Sequence, residues 1–260
     1  MTTKISLPKL VEVLYLLYRF RFLNRVHIQS LLNHKHHSRI TTWMKELTDK
    51  GYIKQYYDKR FAGVPAVYSL GVEGRKYIKT HPDAFKNVIT NLLDRVWREK
   101  SFSLVFREHC LFIVDIYLSL LALTQKTKAK LSFLTQTDIY GTKYLILPNP
   151  DAYFAITEAK GSIKRYFLDI FNDIPPKAMR KRLRQYFNYY ESSYWQNHTD
   201  KSFPIILQIF PNERLKKHIY YYVQQLLNRG LKPQFYLSTR EKIKTLGICR
   251  EAFQKVEDIL

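Results

Sequence analysis

Two carboxylates in this chain stand where they could do chemistry. Pro150-Asp151 lies directly before the apolar run AYFAIT, and Asp169 lies inside YFLDIF, eighteen residues after Asp151. That spacing suits a hairpin of two strands, which would bring Asp151 and Asp169 to one place. Two carboxylates so placed can hold a divalent cation such as Mg²⁺ or Mn²⁺, while a nearby lysine positions an attacking water. Lys160, Lys164, Lys177 and Lys181 are the lysines near them in sequence. The competing reading makes Asp151 a turn cap before a strand and Asp169 a paired acid under a basic helix. On that reading no cofactor is required, and catalysis is the less favoured expectation.

The second chemistry is polyanion binding. Forty-three Lys and Arg face twenty-two Asp and Glu, a net charge of +21 over 260 residues. Such a surface attracts polyanions across a screening length of about 10 Å at 0.1 M salt. Nucleic acid is the first partner class and an anionic membrane surface the second. The run SFSLVFREHCLFIVDIYLSLLAL (101–123) is apolar, but Arg107, Glu108, His109 and Asp115 oppose a membrane span and favour a central helix. The expectation is a cytoplasmic chain with no membrane partner. Cys110 and Cys249 form neither a disulfide framework nor a zinc cluster and read as buried thiols. His34, His36 and His37 lack the i, i+4 spacing of a helical zinc site, so NHKHH reads as a polar turn.

The elements that position the basic residues begin at the N-terminus. Leu10, Val13, Leu14 and Leu17 recur at helical spacing, and RFRF (19–22) breaks the pattern. Asn24 can cap a second helix, and a third follows from Ser38 to a glycine stop at Gly51. Ile40, Trp43, Met44 and Leu47 form its inward face. Arg39, Thr41, Thr42, Lys45 and Asp49 point elsewhere. YIKQYYD (52–58) and VYSL (67–70) read as strands around a turn with Gly63 and Pro65, and GVEGRKYIK resumes a helix. Three helices, a hairpin and a further helix make a winged helix-turn-helix. Its third helix fits a major groove, and its wing can touch backbone. Arg39, Thr41, Thr42 and Lys45 are the candidate reading residues. His36 and His37 before the helix, with Lys59 and Arg60 at the wing tip, are candidate backbone contacts. Residues 1–83 hold fifteen Lys and Arg against six Asp and Glu, which favours DNA binding over a protein-interaction role.

A break at Pro82 suggests a boundary, with 1–83 as the DNA-binding domain and 84–260 as a second domain. In the second, 130–138, 143–147, 151–157, 164–171, 204–210 and 232–239 read as strands. Residues 177–196, 212–230 and 241–260 read as helices. The fold class expected is a two-domain α+β and α/β chain, its C-terminal part an α/β sandwich with a mixed sheet. The helix at 177–196 is basic, and Arg180, Lys181, Arg182 and Arg184 are candidate nonspecific DNA contacts.

This order resembles the PD-(D/E)xK nuclease core, in which an Asp opens the second core strand and an acid and a Lys sit on the third. The resemblance implies Asp151 and Asp169 as metal ligands, with the Lys position lost to Phe171. A wider resemblance is to the replication-relaxation family of bacterial plasmids and mobile elements. It rests on LLYRFRFLNRVHIQSLL (16–32), LTDKGYI (47–53), VYSLGVEGRKYI (67–78), His109 in REHCLFIVDIYLSL, PDAYFAI (150–156), YFLDIF (166–171) and FPIILQI (203–209). Where that family has Glu followed by Asp-Arg-Gly-Thr, this chain has Asp169 followed by IFND. The resemblance implies a DNA-binding accessory protein of plasmid or mobile-element replication, relaxation or mobilisation, with double-stranded DNA as partner. Two alternatives stand beside it. One is a metal-dependent DNA nuclease using Asp151 and Asp169. The other is an assembly protein that recruits a relaxase or replication initiator. A palindromic site would require a homodimer, and no coiled-coil seam is visible. His109 reads as a hydrogen-bonded core histidine rather than a catalytic one.

Overall fold

The computed structural model describes residues 4–57, 63–99, 101, 103–145, 148–228, 230 and 232–257. They form a mixed α/β chain with two sheets and eleven α-helices. Two compact units divide it, Met1–Leu118 and Ser119–Leu260. Residues 84–118, grouped by sequence with the second half, fall in the first unit. Among the described residues, no helix is long and apolar enough to cross a membrane.

In the first unit α1 (Leu7–Phe20) ends where the RFRF break was expected. Arg21 adopts φ +69, and its N–H donates to Leu17 O at 2.9 Å. Its side chain is buried and donates to Glu99, which holds this left-handed turn in place. A two-residue strand, β1 (Leu23–Asn24), follows. It is too short to show an alternating pattern, so no periodicity marks it. Asn24 Oδ1 then accepts from His27 N–H at 2.8 Å, capping α2 (Arg25–Leu31). Next come α3 (His37–Asp49), β2 (Ile53–Tyr56), β3 (Val67–Leu70) and α4 (Val72–Thr80). The sheet order is β1-β3-β2, antiparallel throughout. Val13, Leu14, Leu17, Ile28, Ile40 and Leu47 are buried to 1% exposure or less, and Trp43 is core at 5%. After a 3₁₀ turn at Pro82–Phe85, α5 (Thr90–Glu99) and α6 (Leu104–Lys126) follow, and α6 runs on through the unit boundary.

Gly71 and Gly74 let α4 start against the chain at Tyr52. A Cβ on Gly74 would overlap Tyr52 O, and one on Gly71 would overlap Gly51 O. The backbone partner cannot give way as a flexible side chain would.

In the second unit the strands are β4 (Lys130–Thr135), β5 (Ala152–Thr157), β6 (Ile163–Ile170), β7 (Ile205–Phe210), β8 (Phe235–Thr239) and β9 (Gln254–Lys255), in that spatial order. The first three form an antiparallel meander, β6, β7 and β8 are parallel, and β9 closes the edge antiparallel. The parallel steps need crossover helices. These are α8 (Pro176–Glu191) with α9 (Tyr194–Thr199), and α10 (Glu213–Leu227). Met179, Leu183, Tyr186 and Phe187 of α8, with Ile219 and Val223 of α10, form one core with Phe167, Ile206, Phe210 and Phe235 of the sheet.

Three details differ from the sequence reading. Residues 136–139 leave the first strand as a short helix, α7 (Gln136–Ile139), because Thr135 and Asp138 form a reciprocal capping box. Residues 143–145 are a turn rather than a strand, and the rest of that segment, 146–147, lies outside the described residues. The closing helix is only α11 (Arg240–Leu246). It stops at Gly247, φ +74, and the chain returns as β9 to cover the exposed edge of β8.

Two outcomes test this packing. Gly74→Ala is expected to destabilise the protein by about 1–3 kcal/mol in urea unfolding, the range for overpacking a filled site. Asp94 accepts from Arg75 Nε at 2.7 Å and Lys79 Nζ at 3.0 Å, and these bonds lower its pKa from 3.8 to about 2. A depressed carboxylate stabilises the fold above its unfolded pKa. That contribution is lost as the pH falls from about 4 through 2. Asp94→Asn is therefore expected to melt earlier than the parent at pH 6, by about 1 kcal/mol or less for so exposed a pair. The gap should close towards pH 2.

Candidate nucleic-acid interface and a buried carboxylate pair

The third helix presents its polar residues as its spacing requires. Ile40, Trp43, Met44 and Leu47 are buried, while Arg39, Thr41, Thr42 and Lys45 are exposed. Among the described residues neither Arg39 nor Lys45 takes part in an ion pair. Thr41 and Thr42 each donate their hydroxyl to the carbonyl four residues back, His37 O and Ser38 O, at 3.1 Å. Their oxygens keep accepting capacity on an open face. Glu46 is turned away, accepting from Ile5 N–H at 3.1 Å and Lys50 Nζ at 2.6 Å. The exposed surface from Ser38 to Lys45 is therefore cationic and hydroxylic with no carboxylate.

His36 and His37 are exposed at the start of α3, and the His36 N–H donates to His34 Nδ1 at 3.1 Å. The His34 ring stands edge-on to Trp43, 5.2 Å between centroids, so NHKHH is a structured turn against the core. Lys59 and Arg60 lie outside the described residues. Lys54 and Gln55 of β2 are exposed beside them in sequence. His109 is half-buried in α6.

In the second unit the β5–β6 register pairs Ala152 with Leu168, so Asp151 and Asp169 flank the same end of the hairpin. The eighteen-residue spacing does bring the two carboxylates together. Beside them stands an arginine, bonded to Asp169. Arg182 donates from Nε to Asp169 Oδ2 at 3.1 Å and from Nη2 to Oδ1 at 2.8 Å. It also donates from Nη2 to Asn149 O. Asp151 Oδ2 accepts from Ile170 N–H at 2.7 Å, and its Oδ1 accepts from Gln136 Nε2 at 3.1 Å. Each carboxylate oxygen of the pair thus already accepts a protein N–H.

The electrostatics agree with the geometry. Burial works against the charge on Arg182, but Asp169, Tyr186 and Asp151 outweigh it and raise its pKa further. Burial, then the Asp169 carboxylate, push the Tyr186 hydroxyl well above its usual value. Among the described residues, no group of three or more His, Cys, Asp and Glu is arranged to hold a metal ion. Phe171, at the lysine position of the nuclease pattern, stacks on Phe210 at 5.1 Å within the core. Lys164 pairs with Glu158 at 2.7 Å, and Lys160, Lys177 and Lys181 are exposed.

Arg182 therefore departs from the sequence reading that set it beside its neighbours as a DNA contact. Lys181 and Arg184 are exposed, while Arg180 is half-buried with its guanidinium 5.7 Å from the Tyr222 ring. Helical periodicity separates these residues, because position 182 falls between Met179 and Tyr186 on the inward face. Gln208 went unnoticed in the sequence. It is fully buried in register with Asp169, and neither its Nε2 nor its Oε1 has a hydrogen-bond partner among the described residues.

Removing one partner of a buried ion pair strands the other. Arg182→Met is expected to cost about 3 kcal/mol in urea unfolding. Combining it with Asp169→Leu should recover most of that loss, so a double-mutant cycle should give a coupling of about 2 kcal/mol.

The chain matches the replication-relaxation family model over residues 14–206, which is most of its length. No curated protein and no solved structure matches it. The match runs from α1 through both compact units to the start of β7, and the chain belongs to the replication-relaxation family.

Proposed function

We propose that this chain binds double-stranded DNA through the exposed face of α3, as an accessory protein of plasmid or mobile-element replication. One observation carries the reading. On α3, Arg39, Thr41, Thr42 and Lys45 share an open face that ends at the exposed Asp49, while every large apolar residue of the helix is turned inward. Arginine and lysine on such a face can bond guanine edges or phosphates, and threonine can meet a thymine methyl or a phosphate. The order of α1, α2, α3 and the β2–β3 hairpin supports reading this part as a winged helix-turn-helix, with β1 as its third strand. The net charge of +21 supports a polyanionic partner. Lys177, Lys181 and Arg184, exposed on α8, are proposed as nonspecific backbone contacts.

The order α6, β4, β5, β6, α8, β7 supports a PD-(D/E)xK-like ancestry for the second unit. Catalysis by Asp151 and Asp169 is not the function favoured, because Arg182, bonded to Asp169, already sets a positive charge that both carboxylates feel. Recruitment of a relaxase or replication initiator is compatible with DNA binding, but no surface feature favours it over the first reading.

The test is binding of the full chain to a labelled duplex, titrated across salt. Arg39→Ala/Lys45→Ala is expected to weaken binding at least tenfold and to flatten the salt dependence by one to two released counterions. Unchanged affinity and slope would remove α3 from the interface. Parent and double variant should melt together, since both side chains are exposed.

A further inference from the structure

The sheet of the second unit has a second face, opposite α8 and α10, and that face is only partly covered. On it the rings of Phe133, Phe154 and Tyr166 stack in a row across β4, β5 and β6. Their centroids are 6.0 and 4.7 Å apart and their planes within 18°. The row then stops. The β7 neighbour of Tyr166 is Ile205, and the next ring is Tyr236 on β8, opposite Leu207. Between the two tyrosines lies a cleft of about 410 Å³, floored by Ile205 and Leu207 and walled by Phe253. Tyr166, Tyr236, Ile205 and Phe253 are all only half-buried. That volume lies within the range of small-ligand sites, and the two tyrosine rings offer it aromatic surface.

Two cations, Lys164 and Arg250, line the cleft, with Glu158 paired to Lys164 and Glu251 next to Arg250 in sequence. Glu158 holds Lys164 and raises its pKa, while the charge of Arg250 works in the opposite direction, so the two cations feel each other. Among the described residues Arg250 has no ion-pair partner. Its segment is tied down at both ends. Ile248 N–H donates to Ser119 Oγ at 3.2 Å, and Ser238 Oγ donates to Ala252 O at 2.6 Å. The cleft is thus built before any ligand arrives, which lowers the ordering cost of binding.

We infer that this cleft binds a single nucleotide unit, its base between Tyr166 and Tyr236 and its phosphate at Arg250 and Lys164. A flat ring joined to an anion satisfies both halves of the site, and base–aromatic stacking is tolerant of sequence. The unit can be a free mononucleotide or one residue of a single strand. Neither depends on the duplex contacts of α3.

The test uses the full chain and two probes. One is the 5′-monophosphate of 2-aminopurine deoxyriboside, and the other is the same base within a ten-residue thymidylate strand. Stacking quenches 2-aminopurine fluorescence, so saturable quenching is expected. Arg250→Ala should weaken it at least tenfold, and Tyr236→Leu should reduce its depth. Equal affinity for both probes identifies a free nucleotide as the ligand, and much tighter strand binding identifies a strand. Arg39→Ala/Lys45→Ala should leave the quenching unchanged while weakening duplex binding, so the two readings fail separately. No quenching by either probe at millimolar concentration overturns the inference. So does strand binding without quenching, or quenching that neither Arg250→Ala nor Tyr236→Leu alters.

Discussion

Arg182 donates two hydrogen bonds to Asp169 and a third to Asn149 O, and these fasten α8 to the end of the β5–β6 hairpin. The arrangement satisfies a buried carboxylate that would otherwise be costly, and it fixes the crossover helix on the sheet. It also sets the chemistry of the unit. A guanidinium cannot be deprotonated in a protein, so the positive charge beside Asp169 and Asp151 is permanent. Asp151, bonded to the Ile170 amide and to Gln136, completes a polar cluster used for architecture.

The first unit uses the same device. Arg21 turns the chain through a left-handed conformation, and Glu99 of α5 holds its side chain under cover. In both units an arginine bonded to a buried carboxylate is spent on the fold, and other cations remain for the surface. Arg39 and Lys45 on α3 and Lys181 and Arg184 on α8 are exposed. A large positive charge alone attracts any polyanion. Selectivity needs cations and hydroxyls fixed on a rigid element, and α3 holds Arg39, Thr41, Thr42 and Lys45 in that way, with Asp49 at the end of the same face.

Much of this was legible in the sequence, for particular reasons. The 3.6-residue period separated Ile40, Trp43, Met44 and Leu47 from Arg39, Thr41, Thr42 and Lys45, and the burial follows it. The spacing of Asp151 and Asp169 foretold their meeting across β5 and β6. Reading Asp169 as a paired acid under the basic helix was also sound, although its partner was not named. Arg182 was hidden because a run of arginines looks uniform until the helix has a register against the sheet. β1 was hidden because two residues show no period. The end of α11 was hidden because the edge of β8 is a tertiary fact, which local helical pattern does not record. The cleft between Tyr166 and Tyr236 depends on strand order, since the two rings sit on β6 and β8 and the β7 residues paired with them are Ile205 and Leu207.

The central claim is that α3 is the surface that meets duplex DNA. Amide hydrogen exchange of the full chain, with and without saturating duplex, tests it most directly. Slower exchange is expected across 33–49, from the histidine turn through α3, with the amides of β5 and β6 near Asp151 and Asp169 unchanged. Protection at 149–170 with none over 33–49 would contradict it, and would return the carboxylate pair to the centre of the protein's function.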